Sequence, residues 1–460
     1  MSNLTQLRLA AREIFNATLQ GADSYEGVRG AIALNGSKLQ ICDVTIDLTD
    51  HQKIYSIAIG KAALPMAAAL EYVLGYRLTA GIISTSSRYN ARRASEPATR
   101  SQVSNSRHTV FDGGHPEPNE QSLAAAQACF DLLKRADEAR ALVIFLISGG
   151  GSAMLEWPIS EDISLNDLRA TNNVLVNCGA SISEINAVRR AFSGVKGGRL
   201  AARATNCDQI TLIVSDVPAG QGYNVASGPT LSPPSDVALS AREIVAGYEL
   251  RSKLPESVLR AVYSEQPLRK VESDGSSYLR KHLVLLDNTS AVAAAAQAAR
   301  DRNFYVEIAT DISDQSIEKG CAQLMTRLLQ IQQGAQQSSA TCLISGGEFS
   351  CPVRGQGIGG RNLESALRLA CSSNLSLSDS ENFVALCAGT DGIDGNSPAA
   401  GAIVDNTTIS RARAIGLDPE GYLSRSDSYS FFVALGDVIT TGPTGTNVRD
   451  LRILLTTLTQ

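Results

Sequence analysis

The stretch "ALVIFLISGGGSAML", from Ala141 to Leu155, holds the pattern that decides the fold. It opens with an unbroken apolar run of the length of a fully buried β-strand. The run leads directly into a polar, glycine-rich turn that consists of Ser148, Gly149, Gly150, Gly151 and Ser152. Successive glycines let several backbone N–H groups point toward one place, so the turn predicts a binding site for phosphate or carboxylate. The alternative is a tight turn that needs only one residue with positive φ.

Three other segments show the same order: an apolar strand comes first, and a turn with small or acidic residues follows it. They are "YSIAIGKAALPMAAAL", "ITLIVSDVPAG" and "NFVALCAGTDGIDG", which begin at Tyr55, Ile210 and Asn382. Continuous apolar strands that alternate with helices predict an α/β fold with a mostly parallel sheet covered on both faces. Ligands bind at the C-terminal ends of the strands in such sheets. We therefore expect the glycines and acids after these strands to be functional.

The chain has 460 residues, enough for two or three domains. Between Leu231 and Asp274 the composition changes, with two consecutive prolines and a polar helical segment. We place a domain boundary near residues 232–245, which gives an N-terminal domain at 1–240 and a C-terminal domain at 241–460. The N-terminal segment predicts an amphipathic helix, and we leave open that it packs on the second domain.

The composition indicates a soluble globular protein that binds neither nucleic acid nor membranes. The net charge is −5, whereas nucleic-acid binding needs dense Lys and Arg. The arginines between Arg88 and Arg100 are a local exception, and we expect a solvated loop there. No apolar run approaches the roughly 20 residues that span a bilayer, and the N-terminal segment lacks the apolar core of a secretory signal. Nine cysteines without a CxxC pair favour a reducing cytoplasm.

Charged residues follow three of the predicted strands. Lys61 stands at a strand-to-helix turn, where it suits contact with an anionic substrate, although an ordinary surface lysine is the alternative. Asp391 and Asp394 lie in a glycine-rich turn, and Asp216 follows another strand end. Such carboxylates fit Mg²⁺, which takes few carboxylates together with phosphate oxygens, and they equally fit the hydrogen bonds of an Asx-turn.

A second glycine-rich segment, "RGQGIGGRNLESALRLA", matches the dinucleotide-binding fingerprint GxGxxG at residues 355–360. The segment before it is interrupted by two glycines and a proline, so the strand that this fingerprint requires is missing. A glycine-rich loop that opens onto an arginine at a helix start is better suited to a phosphate chain. The candidate phosphate-binding residues in this segment are Gly357, Gly359, Gly360, Arg361 and Asn362.

A third loop, "TTGPTGTNVRD", runs from Thr440 to Asp450 between two apolar segments. It is longer than the two to five residues that a hairpin turn needs. The side chains of Thr444, Thr446 and Asn447 offer hydroxyl and amide groups to a nucleotide or phosphate. Several anion-binding loops with carboxylates, and no Gly-x-Ser-x-Gly nucleophile elbow, favour phosphoryl transfer, in which positioning and charge perform the catalysis.

The chain resembles the glycerate 2-kinase family, also called the MOFRL family. The matching segments occur in family order between about residues 54 and 455, and they include "IAIGKAALPMAAAL", "GGHPEPNEQSL", "LISGGGSAML", "INAVRRAFSGVKGGRLA", "SDVPAGQGYNVASGPT", "AGTDGIDGNSPAAGAIVD" and "TGPTGTNVRDLRILL". This resemblance implies a two-domain α/β enzyme with a Rossmann-like N-terminal domain, a smaller C-terminal α/β domain and an active site in the interdomain cleft. It also implies that ATP and D-glycerate give 2-phosphoglycerate and ADP, with Mg²⁺.

The resemblance further implies roles for individual residues. Lys61 and Arg361 match the family lysine and arginine that act on the substrate or the transferred phosphoryl group, and with Asp216 they are the candidate catalytic residues. Asp216 and Asp391 are the candidate metal ligands. The implied partners are a small hydroxy acid and a nucleotide, and a homodimer is left open. The candidate nucleotide-binding residues outside the three loops are Lys196 and Thr390.

Two alternatives to a kinase are kept. Members of the family are often named hydroxypyruvate reductases, and an oxidoreductase would suit the GxGxxG match. A non-catalytic nucleotide- or metabolite-binding protein is the second alternative, because Ala191 replaces a family histidine and Gly220 and Gln221 replace two acids.

Overall fold

The apolar runs form buried strands in two separate central sheets. The structure is a computed structural model that describes residues 3–87, 106–235, 239–264, 278–334, 340–376 and 381–458. The segment for which the sequence predicts a solvated arginine-rich loop, Arg88–Arg100, lies outside the described residues.

The strands of the described residues, in chain order, are β1 (Ile32–Asn35), β2 (Lys38–Ile41), β3 (Val44–Asp47), β4 (Ile54–Ile59), β5 (Leu78–Thr85), β6 (His108–Asp112), β7 (Leu142–Ser148), β8 (Asp208–Val214), β9 (Arg280–Leu286), β10 (Tyr305–Ile308), β11 (Thr341–Gly346), β12 (Glu381–Gly389), β13 (Gly401–Asp405), β14 (Val438–Ile439) and β15 (Asp450–Leu458).

The α-helices of the same residues are α1 (Asn3–Gly21), α2 (Ser24–Ala31), α3 (Ala63–Leu74), α4 (Glu120–Glu138), α5 (Gly151–Met154), α6 (Leu165–Asn177), α7 (Ile182–Phe192), α8 (Ala241–Gly247), α9 (Glu256–Tyr263), α10 (Asn288–Arg300), α11 (Ile317–Gly334), α12 (Arg361–Ser376), α13 (Thr408–Ala414), α14 (Pro419–Ser424) and α15 (Ser428–Leu435). Within the described ranges, no helix combines the length and the apolar character that crossing a membrane requires.

The chain forms two compact units. The N-terminal unit comprises Ser24–Leu285, and the C-terminal unit combines Met1–Asp23 with Leu286–Gln460. The sequence predicts a boundary between residues 240 and 241, but the units meet in sequence at residues 285 and 286. The physical reason is that α8 and α9 share a buried apolar cluster with α6 and α7, and β9 extends the sheet next to β8.

The N-terminal unit is built on a six-stranded sheet in the order β6-β5-β4-β7-β8-β9. The pairs from β6 through β8 are all parallel. Every residue of β4 and β7 is buried, and α3 and α4 both pack on β4. The predicted parallel sheet with covered faces is therefore present in this unit. A small antiparallel sheet, β1-β2-β3, completes it.

The C-terminal unit has a mixed sheet in the order β10-β11-β15-β12-β13-β14, in which only the β10–β11 pair is parallel. The prediction that the apolar run after Asn382 belongs to a parallel sheet is wrong, because β12 is antiparallel to both neighbours. Phe383 and Ala385 join one apolar cluster with α11 and α12, whereas Val384 and Leu386 join another with α1 and α10. Burial of both faces, rather than strand direction, produces the continuous apolar run.

The first helix belongs to the C-terminal unit, the arrangement that the sequence leaves open. Leu7, Ala11 and Ile14 of α1 are buried in the same cluster as β12 and β15. Arg8 on the same helix forms ion pairs with Asp405 and Asp437, whose side chains are 3% and 4% exposed. The chain terminus is thus held to the sheet by apolar packing and by a buried charge network.

Candidate active site

Three loops of the N-terminal unit leave its parallel sheet side by side. The last residue of β4 is in register with Ile147 of β7, and Ser148 is in register with the last residue of β8. The loops that follow β4, β7 and β8 therefore start at the same edge, where ligands bind in parallel sheets. These loops carry Lys61, the glycine-rich turn and Asp216.

The first two of these loops are joined by hydrogen bonds. The Lys61 N–H donates to the Gly149 carbonyl at 2.9 Å. The Ser148 hydroxyl accepts from the Ala62 N–H at 3.0 Å and donates to the last carbonyl of β4 at 3.2 Å. A Cβ on Gly60, which has a φ of 111°, would lie 2.4 Å from the Ser148 carbonyl oxygen, so only glycine fits. The backbone that presents Lys61 is thereby fixed against the glycine-rich turn.

The side chains of three charged or titratable residues surround the glycine-rich turn. A Cβ built on Gly149 would lie 1.9 Å from Asp216 Oδ2. A Cβ on Gly150 would lie 3.0 Å from Lys61 Cγ and 3.4 Å from His115 Cδ2. The structure therefore brings the predicted Lys61 and Asp216 together at the turn. It adds His115, which is not among the predicted site residues although the segment "GGHPEPNEQSL" contains it.

The far end of the turn joins a buried polar network. The Ser152 and Ser227 hydroxyl oxygens are 2.7 Å apart, and the Ser227 hydroxyl donates to Asn186 Oδ1 at 2.8 Å. A Cβ on Gly151 would lie 2.7 Å from the Ala226 Cβ, so the turn packs closely on the segment before Ser227. Ser152 is thus held by side chains that sequence spacing does not link to it.

The structure places Lys196 away from solvent and in an ion pair. Its side chain is 1% exposed, and its ammonium contacts the Glu156 carboxylate. Burial lowers the pKa of Lys196, and Glu156 opposes that shift. The Ser193 hydroxyl donates to the other Glu156 oxygen at 2.5 Å. Lys196, predicted as a nucleotide contact, is therefore engaged within its own unit.

In the C-terminal unit, Arg361 begins α12 and lies between two carboxylates. Its Nε donates to Asp450 Oδ2 at 2.5 Å, and its Nη2 lies 2.8 Å from Glu348 Oε1. Burial alone would lower the pKa of Arg361, but Asp450 and Glu348 raise it above its ordinary value. The guanidinium is therefore permanently charged and held in one orientation.

A buried carboxylate caps the start of the same helix. Asp394 is 2% exposed and accepts the Asn362 N–H at 3.0 Å and the Leu363 N–H at 2.8 Å. Burial raises the pKa of Asp394 to about 7, against the effect of these N–H groups. A Cβ on Gly360 would lie 2.5 Å from Asp394 Cγ. Asp394 therefore has a capping contact rather than open access to a ligand.

The loop with the GxGxxG match uses its N–H groups within the unit. The Gly357 N–H donates to the Arg425 carbonyl at 3.1 Å, and the Gly359 N–H donates to Asn396 Oδ1 at 2.8 Å. The intervening N–H donates to Asp427 Oδ1 at 3.1 Å. The N–H groups of Gly357 and Gly359, for which the sequence predicts phosphate contacts, are thus occupied. No strand leads into the loop, since β11 ends at Gly346.

Two carboxylates and a side-chain amide converge near the end of β12. A Cβ on Gly389 would lie 3.3 Å from Asp391 Oδ1, 3.4 Å from Asp450 Oδ1 and 3.5 Å from Asn362 Nδ2. The Asn362 Oδ1 atom is buried without a hydrogen-bond partner, and Asp391 Oδ1 accepts the Ile393 N–H at 3.1 Å. In the described residues no three His, Cys, Asp or Glu side chains form a metal-binding group. Mg²⁺ bound by one or two carboxylates and phosphate oxygens needs no such group, so this donor set fits it.

The Thr440–Asp450 loop folds back onto the turn after β12. The Thr390 hydroxyl donates to the Arg449 carbonyl at 2.7 Å, and the Thr444 hydroxyl donates to the Thr390 carbonyl at 2.6 Å. The Asn447 side chain accepts the Arg449 N–H at 3.2 Å. The Thr446 hydroxyl is buried without a partner. Thr446 therefore has a buried hydroxyl whose hydrogen-bonding capacity the described structure leaves unused.

Comparisons with known proteins cover both units. A family model described as a domain of unknown function (DUF4147) matches residues 10–263, and the model of the MOFRL family matches residues 341–450. The chain is 34% identical to the D-glycerate 2-kinase of Thermotoga maritima over 415 residues, which is 89% of this chain and 92% of that protein. It is 33% identical to the glycerate 2-kinase of Pyrococcus horikoshii over 456 residues, 98% of each chain. The crystal structure of a glycerate kinase from Thermotoga maritima matches with a TM-score of 0.77 at 31% identity, covering 98% of this chain and 99% of that one.

Proposed function

Because the chain belongs to the glycerate 2-kinase family, we propose that it transfers a phosphoryl group from ATP to the 2-hydroxyl of D-glycerate or a closely related hydroxy acid. The observation that carries the proposal is the convergence of Lys61, Asp216 and the glycine-rich turn at the strand ends of the N-terminal unit. A cation, a carboxylate and a glycine-rich turn are the parts that phosphoryl transfer needs, because positioning and charge stabilisation dominate its catalysis.

The cationic side chains have distinct supporting contacts. Lys61 lies over Gly150 and is anchored through its own N–H to Gly149, which suits a fixed positive charge next to a phosphate. Arg361 is oriented by Asp450 and Glu348, and in the described residues its Nη1 atom has no hydrogen-bond partner. That nitrogen is the one we assign to substrate or to the transferred phosphoryl group.

Asp216 and Asp391 have two candidate roles. Either carboxylate orients the attacking hydroxyl, or it holds Mg²⁺ together with nucleotide oxygens. When bound, Mg²⁺ would neutralise the charge of the phosphate chain. For Asp391, the neighbouring buried Asn362 oxygen without a partner supports the metal role.

A substrate panel tests the proposal directly. The purified protein is incubated with ATP, Mg²⁺ and each of several 2-hydroxy acids, and formation of ADP and of the phosphorylated acid is followed. We expect turnover with D-glycerate and 2-phosphoglycerate as the product. ATP binding without product in any mixture would instead favour a non-catalytic binding protein.

The oxidoreductase alternative has its own measurement. It predicts NADH oxidation when hydroxypyruvate is added, and the kinase proposal predicts none. The N–H groups of the Gly357–Gly359 loop bond within the unit, which argues against the dinucleotide contact that the oxidoreductase alternative requires.

Variants then connect the activity to named residues. We expect Lys61→Ala and Arg361→Ala each to lower kcat/KM for D-glycerate by at least 100-fold. This is about the rate loss seen when an enzyme loses one hydrogen-bond donor to the charge that develops in the transition state. The matched controls are Lys134→Ala and Arg300→Ala, which remove exposed cations from α4 and α10. Wild-type kcat/KM in both Lys61→Ala and Arg361→Ala would refute the assignment.

A further inference from the structure

Two adjacent arginines near the end of α7 contact amide oxygens instead of carboxylates. Arg190 is 5% exposed, and its only hydrogen bond to the described residues runs from Nη1 to Asn224 Oδ1 at 3.4 Å. The Arg189 guanidinium donates to Asn172 Oδ1 and, at 3.4 Å, to Asn186 Oδ1. Neither guanidinium forms an ion pair with a described carboxylate.

The local charge is therefore positive and poorly compensated. Burial lowers the pKa of both Arg189 and Arg190 to about 10. Glu156 is the carboxylate that acts on Arg189, but it already pairs with Lys196. Arg199 brings a further cation, and its Nη1 donates to backbone carbonyls, the nearest being that of Arg190 at 2.5 Å. A buried cation without a counter-charge is costly unless an anion binds it.

This cationic group is linked to the glycine-rich turn by continuous hydrogen bonds. Asn224, which contacts Arg190, accepts the Asn186 side-chain amide on its carbonyl at 3.2 Å. Asn186 in turn accepts the Ser227 hydroxyl, which bonds to Ser152. Ala226 and Ser227 have positive φ values of 51° and 60°. Such backbone strain in residues other than glycine is characteristic of binding sites.

We propose that Arg190, with Arg189 and Asn224 beside it, binds the carboxylate of the hydroxy-acid substrate. In the described residues, Nε and Nη2 of Arg190 have no acceptor, and these two nitrogens can donate a parallel pair of hydrogen bonds to one carboxylate. In this assignment Lys61 and the glycine-rich turn bind phosphate groups, and the arginine binds the carboxylate. The inference rests on the proposed function for the identity of the acid, but the anion site itself can be tested separately.

The first test is kinetic and uses the full chain. In Arg190→Gln, we expect KM for D-glycerate to rise about 10- to 100-fold, the loss of a charge-assisted pair of hydrogen bonds, while KM for ATP stays within twofold. Glycerol lacks the carboxylate, so the substitution should leave the rate measured with glycerol unchanged, and the preference for glycerate over glycerol should fall. Arg135→Gln, on the exposed face of α4, is the matched control.

A second variant separates binding from folding. Asn224→Asp places a carboxylate next to Arg190 and should occupy it. The Ser183 hydroxyl and the Gln221 amide, which now accept from Asn224 at 3.0 and 3.2 Å, can reverse to donate. We expect an unfolding temperature equal to or above that of the wild type, together with a KM for D-glycerate raised as in Arg190→Gln. A purely structural role for Arg190 predicts no such KM change.

The remaining outcomes are decisive as well. A rise in KM for ATP alone would assign the arginines to a nucleotide phosphate and overturn the carboxylate assignment. Unchanged kinetics in both folded variants would overturn the anion site. Should the wild type lack kinase activity, calorimetric titration with D-glycerate still applies: binding to the wild type but not to Arg190→Gln supports the site, and absence of binding to the wild type overturns it.

Discussion

Replacing Gly149 with alanine tests whether Asp216 must contact the glycine-rich turn. The added Cβ would lie 1.9 Å from Asp216 Oδ2, whereas an ordinary contact is about 3.4 Å. The carboxylate must therefore move by about 1.5 Å, or the turn must move and disturb the Lys61 N–H contact to the Gly149 carbonyl. The φ of Gly149 is not in the positive range, so alanine brings no backbone strain of its own.

The expected loss follows from this displacement. A misplacement of about 1 Å in a catalytic group can cost about 100-fold in rate, so kcat for D-glycerate phosphorylation should fall by at least that factor. This corresponds to about 2.7 kcal/mol of transition-state stabilisation. The control is Gly30→Ala, because the exposed Gly30 lies in α2 with open space around its Cβ position.

A double-mutant cycle identifies the contact responsible. Asp216→Ala removes the atoms that the new methyl group meets, so Gly149→Ala should cause little further loss in that background. Steady-state kinetics of the four proteins, with thermal unfolding to check the fold, give the coupling energy. Gly149→Ala with kcat within twofold of the wild type, or full additivity with Asp216→Ala, would refute the placement of Asp216 at the turn.

Three further predictions concern other parts of the molecule. Arg8→Ala should lower the free energy of unfolding by about 1.5 kcal/mol, because it removes charged hydrogen bonds from two buried carboxylates while Arg411 still pairs with Asp437, and urea titration showing less than about 0.5 kcal/mol would contradict this. The hydrogen bond to Asp208 raises the pKa of His51, so its stabilisation is fully present below pH 6.5 and is lost as the pH rises through the folded pKa. His51→Gln should therefore cost up to about 1 kcal/mol at pH 5.5 and less at pH 8.5, and an equal cost at both pH values would exclude the linkage. Thr446→Val removes a buried hydroxyl without a partner, so stability should be unchanged or higher while KM for ATP rises, and an unchanged KM would remove Thr446 from the nucleotide site.

The strands were readable from the sequence because burial of both faces leaves a local signal. The runs at 55–59 and 141–147 coincide closely with β4 and β7, and parallel order then places their following turns at one edge. The same signal at β12 did not reveal strand direction, since the two faces of an antiparallel strand were equally covered. The apolar pattern of a strand depends on which elements cover its two faces. The direction in which the strand pairs depends on the chain connections, and the apolar pattern does not contain that information.

The residues of the candidate site also differ in how far the sequence could predict them. Lys61 and Asp216 were predictable because each directly follows a strand whose end position is set by the sheet. The position of Lys196 was not predictable, because its ammonium pairs with Glu156, which lies 40 residues earlier in the chain, and no sequence spacing links the two residues. Arg190, which we propose as an anion ligand, shows the reverse case, because its sequence context resembles an ordinary helix surface and it is distinguished only by the lack of a paired carboxylate among the described residues. Residues whose function depends on which charge is absent from their surroundings can be identified only after the surrounding elements have been placed.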